Sequence, residues 1–503
     1  MAATLLHDAN RAAATWIESV GPRKLRAAIA LGLLAAAIKG SIVLAVAPVL
    51  LLMVIHFVRF QPLDRLMIVV IAATLGLDHP SEQPFAGLWH SPIQIFGNLW
   101  FHAVRRTVSI VPIPLSPAVL VAFWLLFRAC TELVRRPDKG TRLYLRACAV
   151  AVTAIGAAAI YGIARGGDSQ QMLYQVTVPL VTVALGAVAC LLATPALLRQ
   201  LERILLLIAG VRALVCIYVY ATVFRRIGGD YLYVSTHSDS VLWVVALALV
   251  LGRLITTFRL ENQRGRVGLS VILLVAIIVN NRRLAWVELA VIVVYTFWAV
   301  PPRLQALRGR VALVAIPLVG FYAAIGMSAP PSPIFAPVQA LTSVNSSEDS
   351  STLSREIENS NLMVTIREGG PLGIGFGHEY TETIVGPDIS KAFPQYRYLP
   401  HNSLLGLIAF AGPLGFVAFW LPLLLGMAAA ARLRRHPSPH LRAASVWLAA
   451  SIVCFALMAW GDIGLQTNAN GIFGSLGAGL AAGLARQRIR SEPSPHKDLV
   501  QHG

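Results

Sequence analysis

Between two long apolar runs the chain turns through Asn280-Asn281-Arg282-Arg283-Leu284-Ala285-Trp286. A guanidinium presents a fork of donors that matches phosphate oxygens, and a helix opening at this turn would add unsatisfied N–H groups and the positive end of its dipole. Arginines at such a turn also snorkel to lipid headgroups, so position alone leaves both uses open. A further arginine, Arg355, opens a candidate helix in a long polar stretch, where by itself it reads as a solvated surface charge. His401 lies in Tyr398-Leu399-Pro400-His401-Asn402-Ser403-Leu404-Leu405, where that stretch gives way to the next apolar run. An imidazole at a water–lipid boundary can titrate near neutral pH and face both an aqueous acceptor and a lipid-bound donor, or it can form a structural hydrogen bond at a helix entrance. Cations and an imidazole converging at helix ends would suit a lipid-linked anion.

The elements that must position these residues follow from composition. The chain has 503 residues, 56% hydrophobic and 13% charged, with a mean hydropathy of +0.67. Soluble domains carry about 25% charged residues. Apolar runs near the bilayer-crossing length recur along most of the chain, which predicts an all-α polytopic membrane protein and excludes a soluble enzyme with a water-facing catalytic core. Spans are expected over 26–39, 41–58, 62–78, 112–128, 144–165, 172–194, 204–222, 240–258, 266–280, 284–300, 311–327, 402–431, 443–460 and 471–486. Only Lys39 and Gly40 separate the first pair, so the expected count is 12–14. Lys plus Arg exceed Asp plus Glu by 42 − 24 = 18, but the cations sit in short clusters between apolar runs, the pattern of positive-inside anchoring and not of nucleic-acid binding.

Clusters at Arg128–Arg146, Arg253–Arg266, Arg303–Arg310 and Arg432–Arg442 mark cytoplasmic connections. Alternation then sets the 282–283 turn and the segment 328–400 on the extracytoplasmic side, with both termini cytoplasmic. Arg11, Arg23, Lys24 and Arg26 precede the first apolar run without a small-residue cleavage site, so an uncleaved N-terminus is expected. The resulting division is an N-terminal transmembrane region (1–327), a large periplasmic loop (328–400), C-terminal transmembrane helices (401–486) and a cytoplasmic tail (487–503). The loop holds eight acidic and four basic residues, and a connection of that length is a candidate functional element. Ser354 is expected to cap a helix over Arg355–Glu368, with Gly369 past its end and Pro371 beyond, while Ser343–Ser351 reads as disordered. The stretch Asp78–Ser109, rich in Phe85, Trp89, Phe96, Trp100 and Phe101, reads as an interfacial anchor or a lipid-contacting wall. Five cysteines without a CxxC pair support neither a disulfide framework nor a zinc site.

Secondary contacts are open to Glu288, a carboxylate inside a span that is costly unless paired, and to His378 and Glu379 beside the loop glycines. Arg212, Arg225, Arg226 and Asp462 are further candidates. Gly373, Gly375 and Gly377 read as a sharp turn, since no strand–turn–helix unit that would cradle a nucleotide precedes them.

The order of these features resembles the O-antigen ligase and O-antigen polymerase superfamily of bacterial membrane glycosyltransferases. The likeness rests on an arginine at a helical turn, an Arg-started loop helix followed by Gly370-Pro371-Leu372-Gly373-Ile374-Gly375-Phe376-Gly377, and His401-Asn402 before a span interrupted at Gly412-Pro413-Leu414-Gly415. It covers about residues 270–425. The resemblance implies two arginines holding the diphosphate of an undecaprenyl-linked glycan and a histidine activating the acceptor hydroxyl. The first arginine carries onto Arg283 if Trp286 aligns with the family's aromatic residue, or onto Arg282 with one residue of slippage; the second onto Arg355; the histidine onto His401. Where the family often has Trp, a turn after the loop arginine, this chain has Asn359. The implied partners are the lipid-linked donor, a glycan or lipid A core acceptor, membrane lipids and a chain-length regulator, at the bacterial inner membrane. No cofactor or metal is implied: two guanidinium groups can stabilise a departing lipid diphosphate, and attack opposite the leaving group would invert the linkage. The alternative reading is a polysaccharide or lipid-linked oligosaccharide flippase, a class that commonly shows internal repeats and midplane charges; no repeat is evident.

Overall fold

The computed structural model describes residues 24, 26–30, 56, 58–78, 92–101, 115–133, 139–224, 233–257, 264–299, 305–330, 335, 337–339, 350–386, 390 and 393–486. Two compact units divide the chain, Met1–Met67 and Ile68–Gly503. Among the described residues there is no strand, and the protein is an all-α polytopic membrane protein. The helices are α1 (Leu63–Gly76), α2 (Pro92–Phe101), α3 (Pro117–Leu133), α4 (Lys139–Ala164), α5 (Ser169–Leu192), α6 (Pro195–Val219), α7 (His237–Thr257), α8 (Arg264–Asn280), α9 (Arg283–Trp298), α10 (Gln305–Ser328), α11 (Ser350–Gly369), α12 (Ser403–Leu433), α13 (Pro439–Gly461) and α14 (Asn468–Leu484).

Twelve of the expected spans fall on helices of this set, all but α2 and α11. Six helices among the described residues are long and apolar enough to cross a membrane: α4, α5, α6, α7, α12 and α13. The expected spans 26–39 and 41–58 lie outside the described residues except at 26–30, 56 and 58. So do Phe85 and Trp89; Trp100 of α2 donates its indole N–H to Thr74 Oγ1 at 3.0 Å, while Phe96 is exposed.

Local chemistry sets the helix ends. Asp168 accepts from the N–H of Gln171 (2.8 Å) to start α5, Thr194 accepts from that of Leu197 (3.1 Å) with Pro195 following to start α6, and Asn402 accepts from that of Leu405 (3.2 Å) to start α12. The centre of the bundle is α14, which packs on α5, α12 and α13. Its small residues permit this: a Cβ on Gly479 would sit 2.2 Å from the Gly186 carbonyl oxygen.

Helix α12 breaks at Gly412, whose φ of 69° and ψ of 172° precede Pro413. Proline offers no N–H, so carbonyls one turn earlier lose their intrahelical donors. The loop fills the gap. The N–H of Ile374 donates to Ala409 O and that of Gly375 to Phe410 O, both at 2.9 Å, while the N–H of Gly377 donates to Gln175 Oε1 at 2.5 Å. Such contact demands bare backbone: Gly375 has φ of 90°, and a Cβ there would lie 2.4 Å from Gly162 Cα. The glycine series is therefore a docking turn whose amides are spent on protein acceptors.

Candidate functional site

The Asn-Asn-Arg-Arg turn works as a unit. Asn280 is fully buried and holds the entry to α7, its Oδ1 accepting from the N–H groups of Val234 (3.1 Å) and Ser235 (2.6 Å) and its Nδ2 donating to Ser240 Oγ (2.9 Å). Asn281 takes the left-handed conformation at φ of 50°, which Asn tolerates better than most residues, and reverses the chain. Arg282, the extended N-cap of α9, then lays its guanidinium over the Tyr233 ring, 3.4 Å from the centroid, and donates to Ser235 O at 2.8 Å. Its Nη1 lies 2.8 Å from His237 Nε2, which is itself 3.0 Å from Asp462 Oδ2. One ring nitrogen serves one partner at a time: protonated, it donates to Asp462; unprotonated, it accepts from Arg282. Burial alone would raise the Asp462 pKa, but His237, the Ile463 N–H, His401 and Arg355 together bring it below the ordinary carboxylate value.

His401 is held from α11. Its Nδ1 lies 3.0 Å from Glu358 Oε2, and the other oxygen of that carboxylate accepts from the Asn402 N–H at 3.3 Å. Asn402 Nδ2 donates to Asn359 Oδ1 at 3.1 Å, so the position where the superfamily often has Trp here ties α11 to the start of α12. The Glu358 side chain is 8% exposed and that of His401 30%. Burial works to lower the His401 pKa, yet the hydrogen bond and charge of Glu358, with Asp462 behind it, raise it overall against the opposing charge of Arg355. A carboxylate on Nδ1 fixes the ring and leaves Nε2 as the nitrogen able to take a proton from a substrate.

Arg355 sits one turn before Glu358 on α11 and is exposed; among the described residues it makes no hydrogen bond or ion pair. With His401 and Glu358 it lines a cavity of about 220 Å³ whose remaining wall includes Tyr380, Glu382 and Tyr396. The charges of Arg282, Arg355 and His401 all reach the His237 ring, so three of the four principal candidates gather around one polar cluster. The fourth, Arg283, is the first residue of α9 and is exposed.

The secondary candidates divide. Asp462 belongs to the cluster. Arg212 does not: it is buried in an ion pair with Asp239 and donates to Gly76 O at 3.0 Å. Glu288 is fully buried in α9, and among the described residues neither of its carboxylate oxygens accepts a hydrogen bond, from Arg282 and Arg283 included. His378 Nε2 lies 3.0 Å from Gly162 O, and Glu379 pairs with Arg397 at 3.5 Å; neither lines the cavity. Arg225 and Arg226 lie outside the described residues. Helix α11 begins at Ser350, so Ser354 lies inside it and is not its cap, and Gly369 is its last residue.

Sequence reasoning missed Glu358 and His237 as partners of the site. Glu358 carried a usable signal, since three residues after Arg355 it must share that residue's helical face. His237 carried none, being 225 residues from Asp462 in sequence.

Residues 268–420 match the family described as O-Antigen ligase. The match contains Arg282, Arg283, Arg355 and His401, agrees with the resemblance read over about 270–425, and supports ligase- or polymerase-type glycosyltransferase activity in general, with a lipid-linked glycan donor and a glycan acceptor. No curated protein matches the chain.

Proposed function

We propose, from the match of residues 268–420 to the O-Antigen ligase family, that this chain transfers an undecaprenyl-diphosphate-linked glycan to an acceptor sugar hydroxyl on the extracytoplasmic side of a bacterial inner membrane. The observation that carries the reading is the His401–Glu358 pair, set beside the exposed Arg355 and within reach of the Arg282–His237–Asp462 cluster. His401 Nε2 takes the acceptor hydroxyl proton, and the alkoxide oxygen attacks the anomeric carbon. The bond from that carbon to the diphosphate oxygen breaks on the opposite face, so the linkage inverts. Arg282 and Arg355 receive the charge of the departing lipid diphosphate through charge-assisted hydrogen bonds. Because two guanidinium groups supply that charge, we read the reaction as metal-independent.

Joining repeat units and joining a finished polysaccharide to a terminal acceptor such as lipid A core use the same chemistry. The test is transfer by purified protein in detergent from a defined lipid-linked donor to a glycan acceptor. Wild type is expected to transfer without any compartment present, which a flippase would not, and His401→Ala to lose roughly 10²–10⁴-fold in turnover, the contribution of a positioned base. Full turnover by His401→Ala would remove that residue from the role. Glycans of a deletion strain separate the two reactions: lost polymerisation leaves single capped units, lost ligation leaves long lipid-linked chains.

A further inference from the structure

The cavity beside His401 contains side chains that the transfer chemistry leaves unused. Tyr380 is only 5% exposed, yet its hydroxyl makes no hydrogen bond among the described residues and the residue lines the cavity. Burial first, then the charges of Glu358, Glu382 and Tyr396, raise its pKa above the ordinary phenol value, so it stands as a protonated donor. A phenol that lines the cavity, with its hydroxyl not sealed from it and no partner for that hydroxyl among the described residues, can donate to a ligand there.

Its neighbours are braced from one residue. Arg397 is ion-paired with Glu382 and donates its Nε–H to Tyr396 Oη at 2.8 Å, while its carbonyl accepts from the Tyr380 N–H at 3.1 Å. Asn361 of α11 pins the adjoining segment, its Oδ1 accepting from the N–H groups of Thr383 (3.0 Å) and Ile384 (2.9 Å) and its Nδ2 donating to Ile384 O (2.8 Å). The wall is thus preorganised. At about 220 Å³ the cavity falls below the roughly 300–1,000 Å³ of clefts that enclose drug-sized ligands, which leaves room for a sugar ring rather than a nucleotide.

The polar groups also choose the ligand. Glu358 and Glu382 bring negative charge against Arg355 and His401, and Arg282 does not line the space, a balance poorly suited to a diphosphate. Two phenol rings, carboxylate lone pairs and one unspent O–H suit a neutral polyol whose C–H face lies on an aromatic ring while its hydroxyls both donate and accept.

We infer that this cavity is a glycan subsite, in which Tyr380 donates to a sugar hydroxyl, Glu382 accepts from another and Tyr396 carries the ring, beside the imidazole of His401. The inference rests on the reading of the chain as a glycan transferase and names recognition only. The sugar belongs either to the acceptor or to the donor glycan.

The test uses the full chain in detergent and, as probe, the phosphate-free oligosaccharide repeat released by mild acid from the surface polysaccharide of the source cell. Calorimetric titration should show saturable binding that Tyr380→Phe weakens about fivefold, the loss of one net hydrogen bond, and that Tyr380→Ala weakens further. Inorganic pyrophosphate should bind the Tyr380 variants as it binds wild type and should lose affinity in Arg282→Ala. In transfer assays, a rise confined to the acceptor KM of Tyr380→Phe assigns the pocket to the acceptor, and a rise confined to the donor KM assigns it to the donor glycan. Equal oligosaccharide affinity in wild type and Tyr380→Ala, both folded by thermal melting, or no saturable binding to wild type, overturns the subsite. Retained turnover in His401→Ala would instead end the base assignment and leave the binding result standing.

Discussion

The proposed chemistry turns on one hydrogen bond. Glu358 favours the protonated imidazole of His401, so neutral His401, the form that can act as base, is lost as pH falls through a pKa above the ordinary histidine value. Glu358→Gln removes the anion and lowers that pKa. The acid limb of kcat/KM should therefore move to lower pH, while the plateau rate drops roughly tenfold or more because the ring is less basic and less fixed. An unmoved profile would reduce Glu358 to a brace between α11 and α12. The arginine pair separates as clearly. Arg282 is bound into the His237–Asp462 cluster and Arg283 is exposed, so Arg282→Ala should raise the donor KM about tenfold to a hundredfold, the worth of charge-assisted hydrogen bonds, with Arg283→Ala within about twofold of wild type. The reverse result would move the phosphate contact by one residue. Residue type and order singled out Arg355, His401 and the 282–283 turn in the sequence, and all of them fall within the matched residues 268–420. Which guanidinium turns inward was not legible there, because that depends on Asn281 adopting a left-handed backbone and on Tyr233, nearly fifty residues away.

At the scale of elements, helices were legible because hydrocarbon demands long apolar runs: twelve expected spans coincide with helices, and six of the described helices are long and apolar enough to cross a membrane. The start of α11 differs for a local reason: the stretch before Arg355 holds several serines competent to cap, and the helix already runs from Ser350. The glycine turn shows what periodicity does not reveal. Its positive-φ residues were readable as a turn, but its seat is the pair of carbonyls freed by the Gly412-Pro413 break of α12, a match between two irregularities about forty residues apart. Gly375→Ala sets a methyl 2.4 Å from Gly162 Cα at a φ of 90°, where a side chain costs about 1–3 kcal/mol in backbone strain before the clash. The loop should undock, and limited proteolysis should cut between α11 and α12 in the variant while wild type resists. Because His401 hangs from the same loop, turnover should fall with the undocking; a variant cut no faster than wild type would mean that the segment finds another seat.

Across the whole molecule, polar groups clamp the same helices at opposite ends. Near one end of α6, α7 and α13 lie Arg212 and Asp239 and, in the site itself, His237 and Asp462. Near the other, Glu202 is 1% exposed, paired with Arg253, and accepts from His440 Nε2 and Trp447 Nε1, both at 3.0 Å. Composition could say that charges inside spans need partners, but not which of them meet across more than 200 residues. The far clamp touches no candidate site residue, so it separates stability from chemistry. Glu202→Ala leaves a cation, an imidazole and an indole N–H without their shared acceptor, and removing one partner of a buried ionic network costs about 3–5 kcal/mol, somewhat less here because Arg253 retains partial access to water. Thermal unfolding in detergent should begin at markedly lower temperature and the yield of folded protein should drop. The molecules that remain folded should keep wild-type donor and acceptor KM values, because the clamp acts on how α6, α7 and α13 are held together and not on the groups proposed to meet the glycan. A shift in either KM without a loss of stability would show that the two ends of these helices are coupled.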